Sequence, residues 1–348
     1  MDTESSPRHR RRRSRGHVGG ARRWRRWITT VVAATSIAGC SATDTDASND
    51  PSDDADGVSN IVVGAGPCCL VATNDGIWVM NHRDKTVQLV DPDTNKPGES
   101  ISVNPYNKWI SAGDRMLMEG ERGAAIFDPE TSKVRPIAGV SDVRGLAFDP
   151  KTLKMWLGSA VDGSLTEVDA RTGRVVDTTM IDGLDSGGGI VLAGQNLWIA
   201  NFDGELLHID LDKHRVVTRL RPFGGALGHV VSAGGWLWAV SFEEPTLLRM
   251  DPDTGEVTRR IATDFAGAAS PGFAAPPDGT LWLASADRIE QLDPKTGDTL
   301  DSYAIPLSDN TDPATYYAMG GVVVGFGSIW TTIFDDTYAD DAVVRLER

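Results

Sequence analysis

The reactive groups of this sequence are few, and two of them are adjacent. Cys68 and Cys69 stand side by side, and in an oxidising compartment such neighbours can close into a vicinal disulfide, a strained eight-membered ring. Aligning apolar runs that end in a small residue puts Cys68, Lys108, Arg144, Gly189, His229, Gly272 and Gly321 at matching positions. Lys108, Arg144 and His229 would then converge with Cys68 on one ring, with glycines opposite leaving room. Cationic side chains gathered in a concavity suit a small anion such as a carboxylate or phosphate. Pairing of Lys108 and Arg144 with nearby Asp is the structural alternative. Tyr316 and Tyr317 lie in a long loop, 308–320, and Tyr317 is a candidate for the same ligand site. Loop 334–341 holds four Asp, without the ordered spacing and Gly of a calcium loop. No Cys or His spacing marks a metal site, no GxSxG elbow occurs, and no Gly-rich phosphate loop opens a helix. The sequence therefore assigns no catalytic residue, no metal and no cofactor. His82, His208 and His214 read as satisfied or surface side chains.

The elements that would position these groups repeat. The marker is a polar turn followed by an apolar residue, Trp or Leu, and another apolar residue. It gives Trp78, Leu117, Trp156, Trp198, Trp238, Trp282 and Trp330, spaced 39, 39, 42, 40, 44 and 48 residues apart. About ten residues after most markers a second run ends in a turn: VDPDTNKP (90–97), FDPETSKV (127–134), VDARTGRV (168–175), IDLDKHRV (209–216), MDPDTGEV (250–257) and LDPKTGDT (292–299). Asp opens such a turn by bonding its own backbone, Pro fixes φ, and Gly supplies a positive φ near the end. Each unit is thus four short strands of about 40 residues, which defines a propeller blade. The expected fold is all-β, a seven-bladed β-propeller of four-stranded blades over residues 58–348. The seventh unit ends with its third strand at 343–348, so Asn60–Val63 is expected to supply the missing outer strand and close the ring.

The segment before the propeller reads as an address. Residues 8–26 carry two Arg runs, and Ile28–Ala38 is an uncharged apolar stretch too short to span a bilayer. Basic, apolar and small residues in that order make a signal peptide. Its end, Ile37-Ala38-Gly39-Cys40, resembles the lipobox of bacterial lipoproteins. That resemblance implies a signal peptide over 1–39, lipidation of Cys40, and a cell-membrane location on the extracytoplasmic face. Arg25-Arg26-Trp27-Ile28 also resembles a twin-arginine signal, so the export route stays open. Residues 41–57, rich in Asp and Ser, read as a flexible acidic tether, giving a second segment of 40–57.

Charge narrows the partners. The chain has 34 basic and 49 acidic residues; ten Arg and two acids fall before Cys40, leaving 24 basic against 47 acidic in the rest. A body this acidic repels phosphate backbones, which excludes nucleic acid. The pattern of GP, then G-x-I-W-V-x-N, then V-D-P-x-T resembles the YVTN and streptogramin-lyase-like propellers of bacteria across residues 58–348. The lyases of that group carry a His and Glu cluster on one face, and no matching arrangement occurs here. The sequence reading is a membrane-anchored, monomeric propeller that binds a small anion or an extracellular protein. The alternative is a lyase-like or quinone-dependent enzyme, the second by analogy with the adjacent cysteines.

Overall fold

The computed structural model describes residues 57–348 except 105, 107, 113–114, 121–122, 242, 264–271, 277, 286–287, 306–321 and 334–340. Cys40, Tyr316, Tyr317 and most of loop 334–341 lie outside the described residues, as do the side chains of 108–112. The described residues form seven antiparallel sheets and no helix: a seven-bladed β-propeller. In blade 4, for example, the inner strand Gly189–Ala193 pairs with Asn196–Ala200, which pairs with Leu206–Asp210, which pairs with the outer strand Arg215–Leu220. The inner strands of the other blades are Pro67–Thr73, Lys108–Ala112, Val143–Asp149, Val230–Ala233, Gly272–Ala274 and Val322–Gly325.

Blade 7 takes its outer strand from the start of the propeller. Val58–Val62 pairs with Ala342–Glu347, running from Val58 opposite Leu346 to Val62 opposite Ala342. The ring is closed as the strand count requires. Blade 1 departs from the simple pattern. Its outer strand comes in two pieces, Lys96–Pro97 and Ile101–Ser102, both paired with Thr86–Asp91. Pro97 has no N–H to continue the ladder, and the chain slips by one residue before pairing resumes.

The markers fill the wedges between blades. Trp198, Trp238, Trp282 and Trp330 are fully buried, and each core cluster joins two adjacent blades. The Asp turns of one blade meet the Trp of the blade before. Trp198 Nε1 donates to Pro252 O at 2.9 Å, and Trp238 Nε1 to Pro294 O at 3.3 Å. The turns themselves form as their composition dictates: Asp251 Oδ1 accepts from the N–H groups of Asp253 and Thr254, both at 2.9 Å. These bonds hold the Asp251 carboxyl below its ordinary range. The fifth position of each turn is left-handed, with φ of 73° at Gly255 and 75° at Gly297. Asn95, Ser132 and His214 take the same conformation in the turns of blades 1, 2 and 4.

His208 is buried in the same seam. Its ring stacks on Trp198 with centroids 4.4 Å apart, and Nε2 shares a hydrogen bond with Asn196 Oδ1 at 2.9 Å. Burial lowers its pKa from 6.5, against the pull of Asp210 and Asp253. Burial, then Arg83 and Lys85, lower that of His82. In both, the unfolded chain takes up the proton first as pH falls. The stability present above pH 6.5 is therefore lost on acidification below it. Melting temperature should fall between pH 7.5 and 5.5, and His208→Gln should make that slope shallower. An unchanged slope would remove His208 from the account.

Candidate functional site: the mouth of the inner strands

Strand direction alternates within each blade. The inner strands therefore begin at the same end of the propeller where the loops between second and third strands emerge. This end, the mouth, carries a repeated irregularity. In blade 1 Pro67 is opposite Asn81 and Cys69 opposite Met80, so Cys68 is an extra residue. In blade 3 Val143 is opposite Ser159 and Gly145 opposite Gly158, so Arg144 is extra. In blade 4 Gly188 N donates to Ala200 O although Gly189 is the register partner of Ala200. In blade 5 Gly228 N donates to Val240 O while Val240 N donates to His229 O. Each is a β-bulge: two residues oppose one, and a side chain is re-aimed. Left-handed residues stand two positions ahead of the bulged residue in blades 1, 3 and 4, at Gly66, Asp142 and Ser186, with φ of 66°, 45° and 48°.

The bulges sort the candidate ligand residues into two neighbouring positions. Cys68 and Arg144 are bulged residues, equivalent to Gly188 and Gly228. Lys108, Gly189, His229 and Gly272 occupy the paired position, opposite Glu119, Ala200, Val240 and Ala284 and equivalent to Cys69. A one-residue slip of this kind is invisible to alignment on the strand's last residue. Arg144 is half exposed, and its Nε lies 3.4 Å from Oδ1 of the buried Asp142. His229 is half-buried.

Polar side chains pin the loops that lead into the bulges of blades 1 and 4. Gln88 Oε1 accepts from Gly64 N and from Asn81 Nδ2, both at 2.8 Å. Asp341 Oδ2 accepts from Gly66 N at 2.7 Å, tying blade 7 to the mouth of blade 1. In blade 4 Asn201 Oδ1 accepts from Asp185 N at 3.0 Å and Ser186 N at 3.1 Å, while Asn201 Nδ2 donates to Gly183 O. Asp185 Oδ1 in turn accepts from Gly187 N and Phe202 N, at 3.1 and 3.0 Å.

That network fixes an aromatic side chain in solvent. Phe202 is 51% exposed, yet a Cβ added at Gly187 would fall 2.1 Å from its ring, so the ring packs directly against that glycine. Val161 and Met180, 75% and 65% exposed, belong to the same end of blade 3. Sequence patterning does not single out Phe202. The available signal is an aromatic immediately after the buried Asn201, where every pattern of strand periodicity has already ended. A separate cleft of about 280 Å³ lies between blades 5 and 6, lined by Leu247, Ile261, Leu283, Glu290, Leu292 and Thr299. It is formed mostly by third and outer strands, away from the inner-strand bulges.

The ring of four-stranded blades, closed by the first strand and bulged at its mouth, defines the chain as a seven-bladed β-propeller. A family model described as outer membrane protein assembly factor BamB matches residues 54–261, and the chain belongs to that family. Among solved structures, virginiamycin B lyase from Staphylococcus aureus is similar with a TM-score of 0.64 and 13% identity, covering 84% of this chain and 99% of that one. A streptogramin B lyase structure is similar with a TM-score of 0.64 and 16% identity, covering 83% and 97%. At these identities the likeness is one of fold. No curated protein matches by sequence.

Proposed function

We propose that this protein is a membrane-tethered, extracytoplasmic binding propeller that engages a protein partner through the mouth around blades 3 and 4. The observation that carries this reading is the family match over residues 54–261, whose description names an outer membrane assembly factor. The lipobox at Ile37–Cys40 and the acidic spacer 41–57 support the anchor, with residues 1–39 as the signal peptide and 58–348 as the propeller. Phe202, Val161 and Met180 support the partner surface. An aromatic held rigid in water loses little conformational freedom on binding, and rigid aromatics dominate interface energetics. A protein partner is favoured over a small anion because the charge of Arg144 is already balanced by Asp142. The surplus of acids after Cys40 suits a partner segment that combines basic and apolar residues.

Two measurements test this. Cys40→Ser should move the full-length protein from the membrane fraction to the soluble one; retention in the membrane fraction would sink the anchor. A photo-crosslinking residue at position 202 of the full chain in cells should yield a discrete adduct, and the same residue at exposed Val176, on an outer strand, should not. Equal yields at the two positions, or none at 202, would reject the mouth as the partner surface.

A further inference from the structure

Consecutive residues of a regular strand point to opposite faces. Cys68 and Cys69 do not. Both pack into the cluster between blades 1 and 2 that holds Val71, Trp78, Met80 and Tyr106. The bulge at Cys68 is the cause, because it turns the extra residue onto the face of its neighbour. The two sulfurs lie 2.8 Å apart in side-chain contact. Cys68 is buried, and Cys69 is partly open to solvent.

We propose that Cys68 and Cys69 form a reversible two-electron redox site, closed into a vicinal disulfide by exchange with a disulfide oxidant. The more accessible Cys69 thiolate attacks a disulfide R–S–S–R, forms a mixed disulfide and expels one R–S⁻. The Cys68 sulfur then attacks the Cys69 sulfur, the bond to R breaks, and the second R–S⁻ leaves. Two protein thiols are oxidised, one external disulfide is reduced, and the two protons end on the two R–SH products. The burial of Cys68 shields it from outside reagents but not from its neighbour, so the second step is intramolecular and the mixed disulfide is short-lived. Adjacent Cα atoms stand about 3.8 Å apart, below the roughly 4.4–6.8 Å of relaxed disulfides. The closed ring is strained and returns readily to the dithiol when a reductant is present. Because the pair sits on the bulge that shapes the mouth in blade 1, closure stiffens that part of the rim.

The site stands independently of the anchor and partner readings, since the oxidant is supplied in vitro. The test uses the full chain carrying Cys40→Ser, which leaves these two thiols. The reduced protein is exposed to oxidised glutathione, trapped with N-ethylmaleimide and weighed intact. The expected result is a mass lower by two hydrogens with no maleimide added, the loss mapping to the peptide that contains both residues. Excess reduced glutathione should then restore two maleimide-reactive thiols. Two maleimide additions after oxidation, or a persistent glutathione adduct beside an alkylated thiol, would overturn the proposal. Cys69→Ser should show no loss of two hydrogens; a loss in that variant would also overturn it.

Discussion

Deleting residues 57–63 should lower the melting temperature by about 10 °C, and the variant should aggregate on heating where the parent does not. The reasoning starts from what Val58–Val62 covers. Ile61 is 3% exposed and packs with Leu70, Ile77, Val79, Val90, Trp330 and Val343 across the seam between blades 7 and 1. Burying such a side chain contributes about 1.5–3 kcal/mol. The ladder to Ala342–Glu347 and the bond from Glu347 N to Gly57 O add several hydrogen bonds at about 1 kcal/mol each. A total near 5 kcal/mol corresponds to about 10 °C for a domain of this size. Aggregation follows because Ala342–Glu347 would become a free edge rich in valine. Arg345 gives a finer probe of the same seam. Its Nη1 donates to Pro92 O and to Asn95 Oδ1, and its Nε donates to Ser328 Oγ, so one side chain joins blade 7 to the turn of blade 1. Calorimetry of the deletion, of Ile61→Ala and of Arg345→Ala should rank them in that order. A deletion that melts with the parent would mean that the ring does not depend on its first strand.

Much of this architecture was legible because it repeats. Seven markers and six Asp turns recur at blade spacing, and each recurrence is independent support for the same four-stranded unit. The closure was legible by counting, since a seventh unit with three strands needs a fourth from elsewhere. The mouth was not legible to the same depth. A β-bulge is a property of the pairing between two strands, and the residues at 67–69 or 143–145 carry no local mark of it. That is why Cys68 and Arg144 align with Lys108 and His229 in the sequence but sit one position away in the register. Phe202 escaped for another reason. A single exposed aromatic means nothing until its backbone is seen held by Asp185 and its ring resting on Gly187. Turn composition accounts for the turn glycines through positive φ alone, whereas Asn95, Ser132 and His214 adopt that conformation too. Backbone freedom is thus an incomplete account of why Gly stands at 255 and 297.

The second reason is the preceding blade, and it leads to the other large effect. A Cβ at Gly255 would meet Trp198 Cη2 at 2.6 Å and Leu220 Cδ1 at 2.3 Å; at Gly297 it would meet Trp238 Cη2 at 2.7 Å. The turn glycine is the floor on which the Trp of the previous blade rests. Trp198→Ala should therefore cost about 4 kcal/mol, the usual range for emptying a large aromatic site. Trp198→Phe should cost about 1–2 kcal/mol, chiefly for the lost bond to Pro252 O. Gly255→Ala should cost about 2–3 kcal/mol, combining left-handed strain with overpacking against Trp198. The decisive measurement is the double variant. If the floor argument holds, the smaller Phe ring leaves space for the new methyl, and Trp198→Phe with Gly255→Ala should be more stable than the sum of the singles by about 0.5 kcal/mol or more. Strict additivity in denaturant melts would assign the cost of Gly255→Ala to backbone strain and Leu220 alone. The coupling would then be absent from the seam that sets one blade against the next.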